Sequence, residues 1–478
     1  MISNGLAKKI NIFCLLTAIV IVLVLPVKKE IWYDETVSML CSKGISHSTP
    51  SEFSNINTAN SLTIGQLNTS ANVFNATVLD NANSFLYNIL LHWFTLIFGN
   101  SIAVYMLFSK LCGITLLIAF YVLSNLFFRQ SIFTSLAILL LATDNTIIGM
   151  SHEIRAYSMG AFFITLSAVY FFKFLFQKEK PFYLFLVGLF SAAAILSHFL
   201  SVYVVLVFLG ALLFYKRLAL FSVKNVLAIL LPVGILAVFF FSAFLGLQIM
   251  SIQNHEILQK AHDFSLTEVL LRGMKFTAIN FKAVFPAFSG KKPVFILSFL
   301  LIVSLYVAGI KSAADKAEKR NLHLLFLQGI SGSLFLSLLC VKSHHYTALY
   351  FRYFSFCIPF SCLFTAYLLS VFFDNPRINL FIKGSLSAII MIPPCVLFIL
   401  SVYKANPILK YNHIAIASQI VRDKVVKIEV PEWQDAFLIQ CVLPDGYKID
   451  YVRNATSPYF TIYKAGTTEQ VPVIRNGS

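Results

Sequence analysis

Apolar runs of about 18–25 residues recur along most of this 478-residue chain, and that repetition decides what it can fold into. Runs of this length cross a hydrocarbon core of about 30 Å, where a helix satisfies its own backbone donors and acceptors. Only 12% of the residues are charged, against roughly 25% in an ordinary soluble chain. The expected class is therefore an all-α polytopic membrane protein. The net charge of +16 does not point to nucleic acid, because the basic residues fall in short connections between runs, as the positive-inside bias requires. No phosphate-binding glycine loop, dinucleotide fingerprint or His-Glu-x-x-His pair occurs. Most of the eight cysteines lie within apolar runs as small hydrophobic filler; Cys41 and Cys441 fall in polar segments, and nothing in the sequence demands that they pair.

With Lys8 and Lys9 inside, the first run, Ile10–Val27, heads outward as a retained span with no small-residue cleavage site after it. Residues 28–101 form a long outer segment rich in Asn, Ser and Thr. Its end, Phe85–Phe98, is apolar but too short to span comfortably, and reads as a helix along the outer interface. Ile102–Phe128 returns inward, Ile132–Met150 goes outward, and Tyr157–Phe176 inward. Phe182–Leu200 and Ser201–Tyr215 make a tight pair, and Val226–Ile249 leads to a second outer loop at 250–293. Val294–Ile310, Leu322–Val341, Phe354–Phe373 and a last span at about 384–403 complete a layout of about eleven spans. This layout keeps nearly every short basic connection inside. Residues 1–403 thus form a multi-pass module. Residues 404–478 form a small outer α/β domain, with a helix-like piece at Ile414–Val421 and a strand-like piece at Ala436–Val442. Asn-x-Ser/Thr sequons at Asn68, Asn75, Asn454 and Asn476 all fall outside.

The polar residues gather at the outer ends of spans. Asp34-Glu35 follows the first span almost at once; this pair suits a helix N-terminus, and equally a general base held at the membrane face. Lys28 and Lys29 lie outside against the charge bias, either as snorkelling anchors or as contacts to an anionic lipid phosphate. His152-Glu153-x-Arg155-x-Tyr157 follows a span that carries Asp144-Asn145 near its outer end. An interfacial ion pair is the plain explanation. The functional one has Arg155 neutralising a departing phosphate and Glu153 ordering the acceptor, the Arg or a metal. His255, Glu256, His262 and Asp263 in the second loop could, with Glu153, supply nitrogen and oxygen ligands for a divalent ion. Arg352, near His344-His345-Tyr346, either snorkels or makes a second phosphate contact, since an Arg fork matches phosphate oxygens.

Four stretches together resemble the GT-C class of polyprenyl-phosphate-sugar glycosyltransferases, and within it the dolichyl-phosphate-mannose–protein mannosyltransferase-like and aminoarabinose transferase families. They are Trp32-Tyr33-Asp34-Glu35-Thr36, Phe85-Leu86-Tyr87-Asn88-Ile89-Leu90-Leu91-His92-Trp93, Ser151-His152-Glu153-Ile154-Arg155-Ala156-Tyr157-Ser158 and Phe351-Arg352-Tyr353. The resemblance covers roughly residues 10–370. It implies that Asp34 is the catalytic carboxylate, with Glu35 beside it, and that Glu153 and Arg155 share its outward-facing site. It also makes Asn254-His255-Glu256 similar to the family's metal-binding loop. One departure stands out: the family's His-Pro-Pro or Lys-Pro motif is replaced by Asn83-Ser84-Phe85, a place Lys28 or Lys29 is expected to fill; the expected donor and phosphate contacts are Arg155, Arg352, Lys28, Lys29 and Tyr87.

The expectation is an inverting sugar transfer from a polyprenyl-phosphate donor to a hydroxyl of a lipid, glycan or protein, on the outer face of a bacterial inner membrane. A divalent metal is an optional cofactor. A transporter or flippase of a lipid-linked glycan is the main rival, and an assembly subunit whose tail binds a partner is a third reading. Transporters keep ionisable residues near mid-membrane, whereas here only Lys110 and a few others lie inside runs.

Overall fold

The computed structural model describes residues 4–24, 33–44, 61–64, 70–79, 84–128, 131–176, 180–216, 222–232, 234, 266–281, 292–343, 353, 355–385, 387–388, 392, 412–430, 435–436, 439, 443, 449–453, 459–464 and 467–472. The first helix, α1 (Asn4–Val24), is followed by α2 (Tyr33–Ser42), the short strand β1 (Ser61–Ile64), α3 (Ser70–Leu79) and α4 (Phe85–Phe98). Gly99 ends α4 at φ +90°, a conformation open to a residue without a Cβ, and its N–H closes the last turn on Thr95 O.

The bundle continues through α5 (Ile102–Phe128), α6 (Ile132–Ala142), α7 (Asn145–Ser151), α8 (Tyr157–Phe176), α9 (Pro181–Ser197) and α10 (Val202–Tyr215). Beyond it come α11 (Val223–Pro232), α12 (Leu266–Asn280), α13 (Lys292–Ser312), α14 (Lys316–Ser343) and α15 (Ile358–Asp374). Among the described residues four helices are long and apolar enough to cross a membrane: α1, α5, α8 and α13. The α6–α7 pair makes a fifth if its two halves count as one span, and several apolar helices are shorter. The chain is an integral membrane protein. The expected eleven spans exceed this count, and the expected last span at 384–403 falls almost wholly outside the described residues.

The expected single span Ile132–Met150 is two helices bent by 63°. Asp144 causes the break: its Oδ1 accepts from Thr146 N at 2.8 Å and Ile147 N at 3.0 Å, so the carboxylate caps a new helix instead of letting the old one run on. The bent half is held against α5 at a close approach. A Cβ on Gly113 would collide with the Ser151 side chain, so α7 sits where it does because position 113 has no side chain.

The core is dense with aromatic rings. Phe171 stacks on Phe208 at 4.9 Å and Phe127 meets Phe172 edge-on at 4.8 Å, tying α5, α8 and α10 together. Helix α14 starts inside the charged connection rather than after it. Glu318 N donates to Asp315 Oδ1 and Ala314 N to Glu318 Oε2, both at 2.7 Å, so the acidic residues cap its first turn.

The tail contributes α16 (Asn412–Arg422) and the strands β2 (Lys427–Val430), β3 (Ile449–Arg453), β4 (Tyr459–Lys464) and β5 (Thr467–Pro472). With β1 they form one sheet in the order β1-β3-β2-β4-β5; β2 and β3 run parallel and the other neighbours antiparallel. A strand from the first outer loop thus closes one edge of the tail's sheet, pairing Leu62 with Tyr451. The strand-like stretch Ala436–Val442 is not a strand where it is described, because Asp435, Ala436 and Ile439 are helical. Ala436 and Ile439 face inward with Ile416, Ile420 and Phe460, so their apolar character serves a helical face rather than a sheet. This apolar cluster is continuous with Met39, Leu40, Leu91 and Ile154, which seats the sheet on the elements that carry the candidate site.

Candidate functional site

Helix α2 presents Asp34 and Glu35 in its first turn, where the helix dipole favours negative charge. Its far end is tied to α4, where His92 Nδ1–H donates to Ser42 O at 2.9 Å. The near end is tied to the segment between α7 and α8. Glu35 is fully buried, and its Oε1 accepts the N–H of Ile154 at 2.6 Å. Arg155 donates from Nη1 to Asp34 O at 3.0 Å and to Ser38 Oγ at 3.1 Å, and its Nη2 stands 3.8 Å from Asp34 Oδ2. The two acidic motifs, about 120 residues apart in sequence, therefore meet, and the neighbouring carboxylates differ in kind. Asp34 keeps 31% of its side chain exposed, whereas Glu35 has no exposed surface.

The loop that delivers Arg155 is itself fixed. His152 Nδ1–H donates to Ile148 O at 2.9 Å, and Arg155 N closes a tight turn on Glu153 O at 2.7 Å. Glu153 is half-buried with its Oε2 shielded from solvent. Next along the wall come aromatic rings. The Arg155 guanidinium lies 5.9 Å from the centre of Tyr157, Tyr157 meets His198 at 4.8 Å and Tyr353 at 6.0 Å, and His198 meets Phe356 at 5.4 Å. Tyr203 donates its hydroxyl to Tyr353 O at 2.7 Å, holding the last residue of the late motif against these rings. His198 accepts from Leu200 N at Nδ1, so its neutral form carries the proton on Nε2.

His198 is the residue that sequence reasoning missed. Its signal was a histidine near the outer end of the Phe182–Leu200 run, at the end of the bundle where Tyr157 begins. Tyr87 departs from the expected donor contact. It is fully buried, its hydroxyl is within hydrogen-bond distance of Ser109 Oγ at 2.8 Å, and its ring meets Phe108 at 5.3 Å. Burial pushes its phenol well above the usual tyrosine range, so the hydroxyl stays protonated. Cys41 is buried with its Sγ 3.9 Å from Ala76 O, while Cys441 lies outside the described residues. Lys28, Lys29, His255, Glu256, His262, Asp263 and Arg352 also lie outside them.

The donor set does not assemble a metal centre among the described residues: no three His, Cys, Asp or Glu side chains come together. The Asp34 carboxylate faces a guanidinium and the Glu35 carboxylate holds a backbone N–H.

Residues 82–246, which hold α4 through α11 and the whole Glu153–Tyr157 segment, match the model of the dolichyl-phosphate-mannose-protein mannosyltransferase family. The chain is similar to GT-C glycosyltransferases. Among solved structures, it is similar to the Archaeoglobus fulgidus oligosaccharyltransferase, crystallised with Zn and sulfate, at 12% identity and a TM-score of 0.47, covering 93% of this chain and 62% of that one. The same archaeal enzyme with an inhibitory peptide and dolichol-phosphate gives 12% identity and a TM-score of 0.44, over 93% of this chain and 64% of the other. ArnT from Cupriavidus metallidurans bound to undecaprenyl phosphate gives 12% identity and a TM-score of 0.45, over 90% and 74%. The chain thus spans under two thirds of the archaeal protein's length. No curated protein matches it in sequence.

Proposed function

We propose that this protein is an inverting membrane glycosyltransferase that moves a sugar from a polyprenyl-phosphate carrier to an acceptor hydroxyl on the extracytoplasmic face of a bacterial inner membrane. The observation that carries the reading is the half-exposed Asp34 carboxylate, held beside Arg155 by contacts that leave Asp34 open to a ligand. The family match over 82–246 covers the segment that supplies Arg155.

In this reading the acceptor hydroxyl loses its proton to Asp34 as its oxygen forms the new bond to the anomeric carbon. The bond from that carbon to the phosphate oxygen breaks on the opposite face, and its electron pair leaves with the polyprenyl phosphate. Arg155 offsets the charge that develops on the phosphate, and Lys28, Lys29 and Arg352 are the further cations proposed for it. Glu35 is a positioning residue: it holds the Ile154 N–H and so sets the place of Arg155. Glu153 is proposed to order the acceptor. A metal, with His255 and Glu153 as its proposed ligands, would add positive charge at the phosphate. Tyr157, His198 and Tyr353 pack together beside Arg155 and back its position.

The transporter reading finds less support. Lys110, an ionisable residue inside a long run, donates to Leu23 O at 3.0 Å, at the end of α1 rather than mid-membrane. Mass spectrometry of envelope glycolipids and glycoproteins, with the gene present and deleted, tests the proposal. Deletion should remove a hexose or pentose from one species. The native gene should restore it and an Asp34→Asn gene should not. Unchanged glycans, or full restoration by Asp34→Asn, would refute it.

A further inference from the structure

At the end of the bundle away from Asp34, the last turns of α5 and α8 and the first turns of α14 enclose a half-open cavity of about 520 Å³. Small-molecule sites fall in a range of about 300–1,000 Å³. Helix α8 starts at Tyr157 in the candidate site and reaches this cavity at Phe176; its 20 residues span about 30 Å. The two sites are therefore separated by about one membrane thickness.

The walls divide by chemistry. Phe127, Phe172 and Phe176 form a rigid aromatic side, with ring centres 4.8, 5.4 and 5.3 Å apart. Arg320 and Asn321 from α14, with Asn125 from α5, form the polar side. The Arg320 guanidinium lies 5.1 Å from the centre of the Phe176 ring, and its Nε is buried without a hydrogen-bond partner among the described residues. The acidic residues nearest in sequence are engaged elsewhere, since Glu318 and Asp315 accept backbone N–H groups at the start of α14. Asn321 donates Nδ2 to the Tyr367 hydroxyl at 3.2 Å, while its Oδ1 is buried without a hydrogen-bond partner among the described residues.

A half-buried guanidinium with its Nε–H shielded, beside an aromatic wall that opens at the basic end of a membrane bundle, suits an oxyanion that carries an apolar body. We propose that this cavity binds the phosphate of an anionic phospholipid, with Arg320 on the phosphate and the glycerol and upper acyl stem against Phe127, Phe172 and Phe176. Basic pockets between spans recognise such headgroups by the same combination of charge and apolar contact. Lys316 and Lys319, exposed on the same turns of α14, add to the local positive field. The inference does not depend on the proposed sugar transfer.

Native mass spectrometry of the full-length protein in neutral detergent tests it, with phosphatidylglycerol, phosphatidylcholine and inorganic phosphate as separate probes. The native protein should retain phosphatidylglycerol over phosphatidylcholine. Arg320→Gln should weaken that binding by about tenfold or more, and Arg320→Lys by less, because an ammonium keeps the charge but not the fork. Ala317→Trp, which fills the cavity and leaves Arg320 in place, should also abolish retention and decides the matter if Arg320→Gln does not fold. Asp34→Asn should bind as the native protein does. Equal retention of the two lipids, or native-like binding by Arg320→Gln or Ala317→Trp, would overturn the proposal. Displacement of the lipid by low-millimolar inorganic phosphate would make the ligand a soluble phosphate and overturn the lipid assignment.

Discussion

Neighbouring carboxylates that look alike in sequence should respond to substitution in opposite ways. Asp34→Asn removes a charge whose partner, Arg155 Nη2, is 3.8 Å away, and the Asp34 side chain is 31% exposed. Solvent screens such a pair, so its loss costs about 0.5 kcal/mol or less. The two Arg155 Nη1 contacts go to Asp34 O and Ser38 Oγ, and both survive the change. Glu35→Ala is different. It deletes a charge-assisted bond of 2.6 Å and leaves the Ile154 N–H in a fully buried place without an acceptor. That loss is about 2–4 kcal/mol. Glu35→Gln keeps an acceptor oxygen and should lose only about 1 kcal/mol.

Thermal unfolding of the purified variants in detergent, read beside sugar-transfer turnover, separates the cases. Asp34→Asn should unfold almost as the native protein does, while turnover falls by about 10²–10⁴, the range a general base supplies. Glu35→Ala should unfold markedly earlier, and Glu35→Gln should keep a substantial share of turnover. The reasoning fails if Asp34→Asn is as destabilised as Glu35→Ala, or if Glu35→Gln is inactive while unfolding normally. The second result would put Glu35 into the chemistry and remove it from a positioning role.

Arg155→Lys should lower turnover by about tenfold or more with little change in unfolding, because one ammonium cannot reach Asp34 O, Ser38 Oγ and the Asp34 carboxylate together; native turnover in this variant would remove the fork from the argument. Leu62 and Tyr451 are directly opposed in the β1–β3 ladder. A Leu62→Cys, Tyr451→Cys pair should cross-link under mild oxidant, and no cross-link in a folded preparation would refute the joining of loop and tail.

Much of the local structure was legible because it depends on near neighbours. Apolar run length marks helices α1, α5, α8 and α13, and the 14-residue run at Phe85–Phe98 is a helix with those same bounds. The break between α6 and α7 could also have been read, since Asp144 lies where a capping side chain competes with the helix. The joining of β1 to β3 could not, because those strands are separated by nearly the whole chain and a four-residue strand carries almost no pattern of its own.

By itself, the sequence determined that this chain lives in a membrane as helices, and that its acidic and basic side chains gather at span ends and in loops. Both follow from the cost of leaving backbone or charge unpaired in hydrocarbon. Only the tertiary structure decided what each charge does. Glu35 and Asp34 are adjacent and chemically alike, and composition ranks them equally. The approach of the Ile154 N–H buries one and leaves the other open beside Arg155. Burial is a property of what comes from far along the chain, so no local pattern could have separated the two.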